Sequence, residues 1–521
     1  MMLLEAKHLQ FYVKDRLLLD IDQLYIHEHE RIGLVGRNGS GKTTLLNLLA
    51  GKKEGANESV VHRHATCELL PQLKNTDTRD SGGEVTQAYI NEALAKRADI
   101  LLADEPTANL DVEHMKKLES QLRRSQNTFV IVSHDRTFLD ALCTTIWEIK
   151  EGKLSIYKGN YSAYIKQKEL EQRQQVQAYE QYEKKKRQLQ KALMEKEQKA
   201  QKATRKPKGV SDVEARKSKM YFANKQKKLH QSARALESRL NQLEKVDKIR
   251  EEPPIKMTLP NDVAFTNKIV LRAVNLEGAV KNRKLWKKVS FDIKGGDKIA
   301  VIGANGSGKT TLIKEILRPN DRISVSSFMK IGYFSQNLDR LTVDSTVLEN
   351  VSDGALQDES LIRIILARLH FIGDDVYKKV HDLSGGERVK VAFSKLFVSD
   401  INTLILDEPT NFLDIETVEV LEKLLHDYEG TVIFASHDRR LIQSIASRIL
   451  VIENKSIRIF DGTYNEYQDH KQEDTRDTVA EELLLLETRI TEVLGKLSLE
   501  PSEALEQEFQ ALLTKKKALE D

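Results

Sequence analysis

The sequence predicts an α/β protein in which two similar domains stand in tandem, joined by a long α-helical hairpin and followed by a short helical C-terminal extension. Three observations predict this architecture. One set of short motifs occurs twice in the same order, a basic segment rich in helix-forming residues separates the two sets, and amphipathic patterns follow the second set. We place the domain boundaries at residues 1–157, 158–257, 258–470 and 471–521.

The size and composition of the chain exclude several classes of protein. Its 521 residues suffice for about two to four domains. The two cysteines, Cys67 and Cys143, are too few for a disulfide framework or a cysteine zinc site, which favours a reducing cytoplasm. Because the sequence lacks long apolar runs and a secretion signal, we expect a cytoplasmic protein without membrane spans.

Each half of the chain contains a glycine-rich phosphate loop (P-loop). Residues 36–43 (GRNGSGKT) and 303–310 (GANGSGKT) match GxxxxGK[ST], each after an apolar run and before a helical pattern. In that context backbone N–H groups and a helix N-terminus hold phosphate oxygens, while the lysine reaches the β/γ-phosphates and the threonine binds Mg2+. The candidate nucleotide-binding residues are Gly36, Asn38, Gly39, Gly41, Lys42, Thr43 and Thr44 in the first loop, and Gly303, Asn305, Gly306, Gly308, Lys309, Thr310 and Thr311 in the second.

Further motifs follow each P-loop in the same order. Buried-strand patterns end in paired acids, of which the first suits Mg2+ and the second suits a base that activates water. A glutamine and an SGGE element precede each acid pair, and an SHDR element follows it. The candidates are Gln72, Ser81, Gly83, Asp104, Glu105 and His134 in the first half, and Gln336, Ser384, Gly386, Asp407, Glu408 and His437 in the second. A single histidine is usually an ordinary side chain, and a single SGG is usually part of a turn. Chance does not explain two sets of these motifs in the same order.

These paired sets resemble the two nucleotide-binding domains of an ABC ATPase. The resemblance implies a head-to-tail sandwich in which ATP binds the P-loop of one domain and the SGGE serine and helix N-terminus of the other. Site one then joins Lys42, Thr43, Gln72, Asp104, Glu105 and His134 with Ser384 and Gly386; site two joins Lys309, Thr310, Gln336, Asp407, Glu408 and His437 with Ser81 and Gly83. Thr43, Gln72 and Asp104, or Thr310, Gln336 and Asp407, would hold Mg2+. Asp111 and Asp414 match the family's loop that couples the two sites.

The segment between the motif sets is strongly basic. Residues 158–257 contain 27 Lys+Arg and 13 Asp+Glu, a local net charge of +14 in a chain whose net charge is +3. The absence of Pro and Gly from Tyr161 to about Gln201 predicts a long helix. A capping-box pattern at residues 211–214 predicts the start of another helix. A heptad-like seam in that second helix, which predicts a helical hairpin, consists of Leu229, Ala233, Leu236, Leu240 and Leu243.

The charge of this hairpin has two interpretations. It can be a solvated coiled-coil spacer, which is the usual meaning of a charge run. The hairpin can also form a binding surface for nucleic acid, because rows of Lys and Arg attract phosphates and aromatic rings at the turn can stack on bases. The residues that we assign to the tip of the hairpin are Lys217, Lys219, Met220, Tyr221 and Phe222.

Two complete ATPase domains fused by a basic helical hairpin resemble the ABC-F group, whose members act on the ribosome rather than in a membrane. The motifs at residues 159–164 and 462–467 are similar to the start of that group's linker. Within the group the chain most resembles Vga-type antibiotic-resistance proteins. The resemblance implies a monomer that binds the 70S ribosome at the exit site and reaches toward the peptidyl-transferase centre, 23S rRNA and the P-site tRNA. It also implies resistance to lincosamides, pleuromutilins and streptogramin A.

Three features depart from the ABC-F pattern. Residues Gln72 and Ser81 are nine positions apart, whereas Gln336 and Ser384 are 48 apart, so the first domain lacks nearly all of the helical subdomain and any arm inserted there. The first SGGE element follows Asp80 where the second follows a leucine. Tyr12 suits the aromatic that stacks on adenine in site one, but the equivalent offset in the second half falls on an alanine. We therefore expect the two sites to be unequal.

The sequence is compatible with several functions. The chain can protect ribosomes from drugs, act as a housekeeping ABC-F translation factor, grip DNA through the basic hairpin, or couple to a separately encoded membrane transporter. The tail has two interpretations as well, since it can cover the second domain or contact the ribosome. Its two predicted helical stripes are Leu483, Leu486, Ile490, Val493 and Leu497, and Leu505, Phe509 and Leu512.

Overall fold

The computed structural model divides into two compact units, Met1–Tyr157 with Ile255–Asp521, and Lys158–Pro254. It describes the chain except for residues 57–58, 73–81, 97, 109, 126, 203–218, 244, 246–266, 281–282, 319, 336–340, 356, 412, 472–485, 487, 495–496, 498–501 and 521. The first unit contains two α/β domains of the same design, which confirms the predicted fold class.

The first domain combines a six-stranded sheet with a three-stranded antiparallel one. Its strands are β1 Met2–Val13, β2 Arg16–His27, β3 Arg31–Gly36, β4 Val60–Arg63, β5 Cys67–Leu70, β6 Ile100–Asp104, β7 Thr128–Val132, β8 Thr145–Lys150 and β9 Lys153–Lys158. The larger sheet has the order β5-β6-β7-β3-β8-β9, and the smaller has the order β2-β1-β4. Strands β5, β6, β7, β3 and β8 pair in parallel, so their carboxyl ends lie at one edge, where ligands bind in open α/β sheets.

The second domain repeats this plan. Its strands are β10 Ile269–Val280, β11 Arg283–Lys294, β12 Lys298–Gly303, β13 Ile323–Val325, β14 Ile331–Phe334, β15 Thr403–Asp407, β16 Thr431–Ala435, β17 Arg448–Glu453 and β18 Ser456–Asp461. The orders β14-β15-β16-β12-β17-β18 and β11-β10-β13 match those of the first domain strand for strand. The central strands β6, β7, β15 and β16 are buried along their whole length, which explains their continuous apolar sequences.

Helices cover both faces of the large sheets. They are α1 Lys42–Leu49, α2 Gly82–Ala95, α3 Val112–Arg124 and α4 Arg136–Leu142 in the first domain, and α7 Lys309–Ile316, α8 Val347–Ser352, α9 Glu359–Arg368, α10 Gly385–Val398, α11 Ile415–Asp427 and α12 Arg439–Ile445 in the second. Residues 335–384 hold α8, α9 and two short 3-10 turns, whereas only residues 71–81 join β5 to α2. The helical subdomain therefore belongs to the second domain, in agreement with the spacing of the motifs.

The second unit consists of two helices that pack against each other, α5 Tyr161–Lys202 and α6 Lys219–Asn241. The predicted long helix is confirmed to within one residue at its C-terminal end. Among the described residues 227–243, the five seam residues are buried or half-buried and all the others are exposed, so the heptad interpretation is confirmed. The predicted capping box at residues 211–214 lies outside the described residues.

The tail continues the second domain with helical segments. A helix spans residues 464–471, further helical residues lie at 488–494, and α13 spans Glu503–Glu520. Val493 is buried, and Ile490 and Phe509 are half-buried, as their positions on the predicted stripes require; Leu483 lies outside the described residues. In the described part of the chain, no helix has the length and apolar character needed to cross a membrane.

Candidate functional site

The two P-loops have the same geometry. Each begins at the carboxyl end of a central strand, β3 or β12, and enters its helix through a glycine in the left-handed backbone region, Gly41 (φ 103°) or Gly308 (φ 109°). A Cβ atom at Gly41 would lie 2.8 Å from Leu19 Cδ2, and one at Gly308 would lie 2.6 Å from the ring of Trp286. These positions therefore require glycine for both backbone conformation and space.

The P-loop lysines bind the carbonyl oxygens of their own loops. Lys42 Nζ donates to the oxygens of Gly36 (2.7 Å) and Arg37 (2.9 Å), and Lys309 Nζ donates to the oxygen of Gly303 (3.0 Å). Burial lowers the pKa of both ammonium groups, while nearby carboxylates oppose that effect. Each lysine is therefore a buried cation inside its loop, as phosphate binding requires.

Site two brings the predicted catalytic residues of the second domain together. Thr310 Oγ1 donates to Asp407 Oδ1 at 3.2 Å, and His437 Nε2 lies 2.9 Å from Lys309 Nζ and 3.4 Å from Glu408 Oε1. Burial raises the pKa of Glu408 to about 7 and lowers that of His437 to about 3. The imidazole is therefore neutral, so its Nε2 can accept from Lys309.

Site one assembles the same residue types with a different set of contacts. His134 Nε2 lies 3.1 Å from Glu105 Oε1, and the backbone N–H of His134 donates to Glu105 Oε2 at 3.3 Å. Burial raises the pKa of Asp104, an effect that a hydrogen bond from Thr43 opposes. The acid pair, threonine and histidine thus lie together in both domains.

Aspartates from each domain reach the P-loop of the other. The backbone N–H of Asn38 donates to Asp414 Oδ2 at 3.0 Å, and that of Asn305 donates to Asp111 Oδ2 at 3.1 Å. The second oxygen of each carboxylate caps its own helix, by accepting from Thr417 N or His114 N. Burial opposes the shift, but the pKa of both aspartates is lowered to about 2. For Asp414 the nearby charge of Lys390 lowers the pKa most and these hydrogen bonds add to it, whereas for Asp111 the hydrogen bonds lower it most. The P-loop of each domain thus lies against the aspartate of the other domain, which is a head-to-tail arrangement.

The arginines of the two SHDR elements also lie at the contact between the domains, although the sequence did not predict them as site residues. Arg136 is almost fully buried and forms a two-pronged ion pair with Glu422 of the other domain, with Nη1–Oε2 at 3.0 Å. Arg439 donates to the oxygen of Val112 at 3.3 Å and lies 3.7 Å from Glu119 Oε2. Their recurrence at the same place in both motifs was the signal that could have identified them.

The other predicted site residues lie either at helix starts, at exposed positions or outside the described residues. Ser384 caps α10 and accepts from the backbone N–H of Glu387, whose carboxylate lies 2.6 Å from Ser384 Oγ, while Gly386 lies in the first turn. Gln72 is exposed just after β5, and Tyr12 is half exposed on β1. Gly83 lies in the first turn of α2. Ser81, Gln336 and Lys217 lie outside the described residues; Lys219, Met220, Tyr221 and Phe222 lie in the first turn of α6, where the side chains are outside them.

The donor set of each site fits Mg2+. Asp104 Oδ2 is buried without a hydrogen-bond partner in the described structure, and Asp407 meets the threonine of its P-loop. Carboxylate and hydroxyl oxygens are the ligands that Mg2+ takes beside nucleotide phosphates. Ser40 Oγ and Ser307 Oγ are likewise buried without a partner within the described residues, which leaves polar atoms in each P-loop for a ligand.

The chain is similar to known ATP-binding proteins along nearly its whole length. A family model described as ABC transporter matches residues 19–80 and 286–411, and a second with that description matches residues 147–208. The ribosome protection protein VmlR of Bacillus subtilis (strain 168) is 31% identical over 524 residues, which covers 94% of this chain and 92% of VmlR. The erythromycin resistance ATP-binding protein MsrA of Staphylococcus epidermidis is 35% identical over 469 residues, covering 84% of this chain and 95% of MsrA.

Solved structures with the same fold include two tandem ATP-binding proteins. An archaeal ribosome recycling factor, aABCE1, in complex with the ribosomal stalk protein aP1, aligns with a TM-score of 0.60 at 18% identity, covering 90% of this chain and 92% of that chain. RNase-L inhibitor aligns with a TM-score of 0.58 at 18% identity, covering 88% and 90%. At such identity the likeness shows the fold alone.

Proposed function

Because this chain belongs to the ABC-F family, whose ATP-binding domains hydrolyse ATP, we propose that it is an ATP-dependent ribosome protection factor. In this proposal it binds the 70S ribosome at the exit site in its ATP form and displaces antibiotics bound at the peptidyl-transferase centre. We expect a Vga-type spectrum of lincosamides, pleuromutilins and streptogramin A. ATP hydrolysis then drives release, and the protein works in the cytoplasm as a monomer.

The observation that carries the proposal is a near full-length likeness to VmlR, which is named for ribosome protection. The chain also matches most of MsrA, which is named for erythromycin resistance. The hairpin unit adds physical support, since residues 158–257 carry a net charge of +14. Such a charge on a pair of thin helices favours contact with the phosphates of RNA.

The geometry of the sites supports a mechanism for the ATP cycle. In each site the P-loop N–H groups and lysine would bind the β/γ-phosphates, and the SGGE helix of the other domain would complete the pocket. Mg2+, held by Thr43 and Asp104 or by Thr310 and Asp407 with the glutamines, would supply charge neutralisation on the phosphates. The contact between Lys309 and His437 would then open, because the phosphates replace the histidine as partner of the lysine.

Glu105 and Glu408 would position the attacking water. Each carboxylate lies beside a histidine of the same domain, so a water between glutamate and γ-phosphate can be held at two points. Burial keeps the pKa of Glu408 near 7, which suits a group that must accept a proton at physiological pH. Loss of the γ-phosphate would remove a shared ligand from the sandwich and let the two domains separate.

Expression in a drug-susceptible bacterial strain tests the proposal. We expect higher minimum inhibitory concentrations for a lincosamide, a pleuromutilin and streptogramin A, and no change for drugs that act at the decoding centre. Lys42→Ala with Lys309→Ala provides the control, because it removes ATP binding from both sites. Equal susceptibility of the expressing and control strains would refute drug protection. Preferential, salt-sensitive binding of the purified protein to duplex DNA would point to a DNA-associated ATPase instead.

A further inference from the structure

The helices that follow the two crossing aspartates differ in the charges they present to the opposite domain. Helix α11 begins after Asp414 and α3 begins after Asp111, so residues at equal distances from these aspartates are structural equivalents. The residues two, five and eight positions further are Glu416, Glu419 and Glu422 on α11, and Glu113, Lys116 and Glu119 on α3. One helix thus presents three carboxylates, whereas the other has a lysine in the middle.

The acids of α11 meet arginines of the first domain. Arg37, in the P-loop of site one, donates from Nε to Glu416 Oε2 at 2.6 Å. Arg136 directly follows the loop that holds His134 (residues 133–135, the histidine loop of site one), pairs with Glu422 and lies 3.7 Å from Glu419 Oε1. Because the Arg136 side chain is only 3% exposed, this attraction is poorly screened by water and salt.

The equivalent contacts of α3 are weaker. Glu113 pairs with Lys117 of its own helix at 3.7 Å, and the second P-loop has Ala304 where the first has Arg37. Arg439 Nη1 lies 3.7 Å from Glu119 Oε2, longer than the closest approach of Arg136 to Glu422. Burial lowers the pKa of Lys116, and the charges of Arg439 and Lys471 lower it further, while Glu119 of the same helix opposes the shift. Lys116 therefore lies near two other cations as well as near one carboxylate.

We propose that this difference makes the two ATP sites open unequally. Helix α11 stabilises the P-loop and histidine loop of site one, whereas the weaker contacts of α3 let site two open first. Arg136, Glu419 and Glu422 are positioning residues of site one, and Lys116 is a positioning residue that weakens site two. The inference rests on the ATP sandwich of the proposed function and requires no ribosome.

Nucleotide release from the purified full-length protein tests the proposal. The Glu105→Gln, Glu408→Gln chain is loaded with methylanthraniloyl-ATP and chased with excess unlabelled ATP in the absence of ribosomes. We expect two release phases, with the faster one from site two. Adding Lys309→Ala assigns the phases, because it removes nucleotide from site two and leaves the slower phase.

Lys116→Glu tests the lysine of α3. A carboxylate at this position meets Arg439, so the fast phase is expected to slow by about three- to tenfold, as a new charge pair at a partly buried interface does, while the slow phase keeps its rate. Lys117→Glu is the matched control. It makes the same change of charge at the next residue, whose partner Glu113 lies on the same helix, and both phases are expected to remain unchanged.

Substitutions at Glu419 test the acid of α11. Glu419→Lys is expected to speed the slow phase about three- to tenfold, and Glu419→Gln is expected to speed it less. The graded pair keeps the test decisive if the lysine variant folds poorly. Asp427→Lys, at the exposed C-terminal end of α11, is the control and leaves the slow phase unchanged.

Three results would overturn the inference: a single release phase, a slow phase that Lys116→Glu prolongs, or equal effects of Lys116→Glu and Lys117→Glu. Failure of the protein to rescue drug-treated ribosomes would instead refute the proposed function. Those release rates are measured without ribosomes, so the two failures are distinguishable.

Discussion

At the scale of single residues, Glu105 and Glu408 combine an unusual backbone with a buried carboxylate. Their φ angles are 52° and 50°, in the left-handed region that non-glycine residues rarely adopt. The backbone N–H of Glu105 donates at 2.9 Å to the oxygen of Val132, the last residue of β7. That of Glu408 donates at 2.9 Å to the oxygen of Ala435, the last residue of β16. These hydrogen bonds between neighbouring strands stabilise the left-handed backbone of each glutamate, which costs about 1–3 kcal/mol. This backbone places the carboxylate beside the histidine of the same domain.

Glu105→Gln with Glu408→Gln is expected to lower the ATPase rate at least about 100-fold, because an amide cannot take a proton from the attacking water. Steady-state phosphate release measures the effect. Glu151→Gln is a matched control, since Glu151 also has a left-handed backbone (φ 52°) but lies exposed in the turn between β8 and β9. A double variant with the wild-type rate would exclude both glutamates as water-activating groups.

Asp438, the cap of α12, gives a pH-dependent prediction. Burial raises its pKa from 3.8 to about 6, although Arg136 opposes the shift, while Asp135 and Glu422 add to it. The stability that its protonation supplies is therefore present below about pH 4 and is lost as the pH rises through 6. Asp438→Asn keeps the cap but never ionises, so it is expected to melt at a higher temperature than wild type at pH 7.5.

The gap between the melting temperatures of wild type and Asp438→Asn is expected to narrow as the pH falls from 7.5 to 5. Asp358→Asn is a control, because it makes the same substitution at an exposed helix cap, that of α9. A gap that widened on acidification would show that ionised Asp438 stabilises the fold.

At the scale of elements, α3 and α11 join local stability to contact between the domains. One oxygen of Asp111 or Asp414 caps its helix, and the other accepts from a P-loop N–H of the opposite domain. A helix whose cap also contacts the nucleotide loop can sense the ligand of the other domain. Any movement of the P-loop changes a hydrogen bond to the N-terminus of that helix.

Asp111→Ala and Asp414→Ala are each expected to lower the ATPase rate about tenfold and to destabilise the protein by about 1 kcal/mol, which is typical of a lost cap. Asp358→Ala is the control, because it removes a cap of similar geometry from α9. It should cost similar stability and leave ATPase unchanged. If all three variants had the same ATPase rate, the crossing contacts would have no role in coupling the sites.

The sequence predicted these elements well where a motif or a period was present. The repeated P-loops, acid pairs and SHDR elements predicted two similar α/β domains, and the seam from Leu229 to Leu243 predicted the buried face of the hairpin. It did not predict that Arg136 meets Glu422, because an ion pair between residues 286 positions apart depends on how the two domains face each other. The difference between Lys116 and Glu419 likewise had meaning only after both helices were placed against the opposite domain.

At the scale of the whole molecule, the chain joins a two-domain ATPase to a basic helical unit. Substitution of three exposed cations of α5 tests the role of this helical unit. They are Lys184, Lys185 and Arg187. Their joint replacement by Gln is expected to weaken ribosome binding about tenfold or more at physiological salt, since each phosphate contact releases counterions. Ribosome-free ATPase should not change.

Cosedimentation with 70S ribosomes at increasing salt measures this effect. We expect the variant to have a shallower salt dependence than wild type. Replacement of Lys284, Lys287 and Lys288 by Gln, which removes three exposed cations from β11, serves as the charge-matched control. Equal loss of binding in both variants would assign the effect to net charge rather than to the hairpin.

In the proposed function, this ABC-F chain protects ribosomes from drugs by an ATP-dependent action. Bacterial cell-free translation, inhibited by a lincosamide, a pleuromutilin, streptogramin A or a macrolide, tests it with and without the purified protein and ATP. We predict restored synthesis for the first three drugs with the wild-type protein, and none with Lys42→Ala, Lys309→Ala. Failure to restore synthesis with any drug, from a preparation that hydrolyses ATP, would contradict ribosome protection and favour a housekeeping or DNA-associated role.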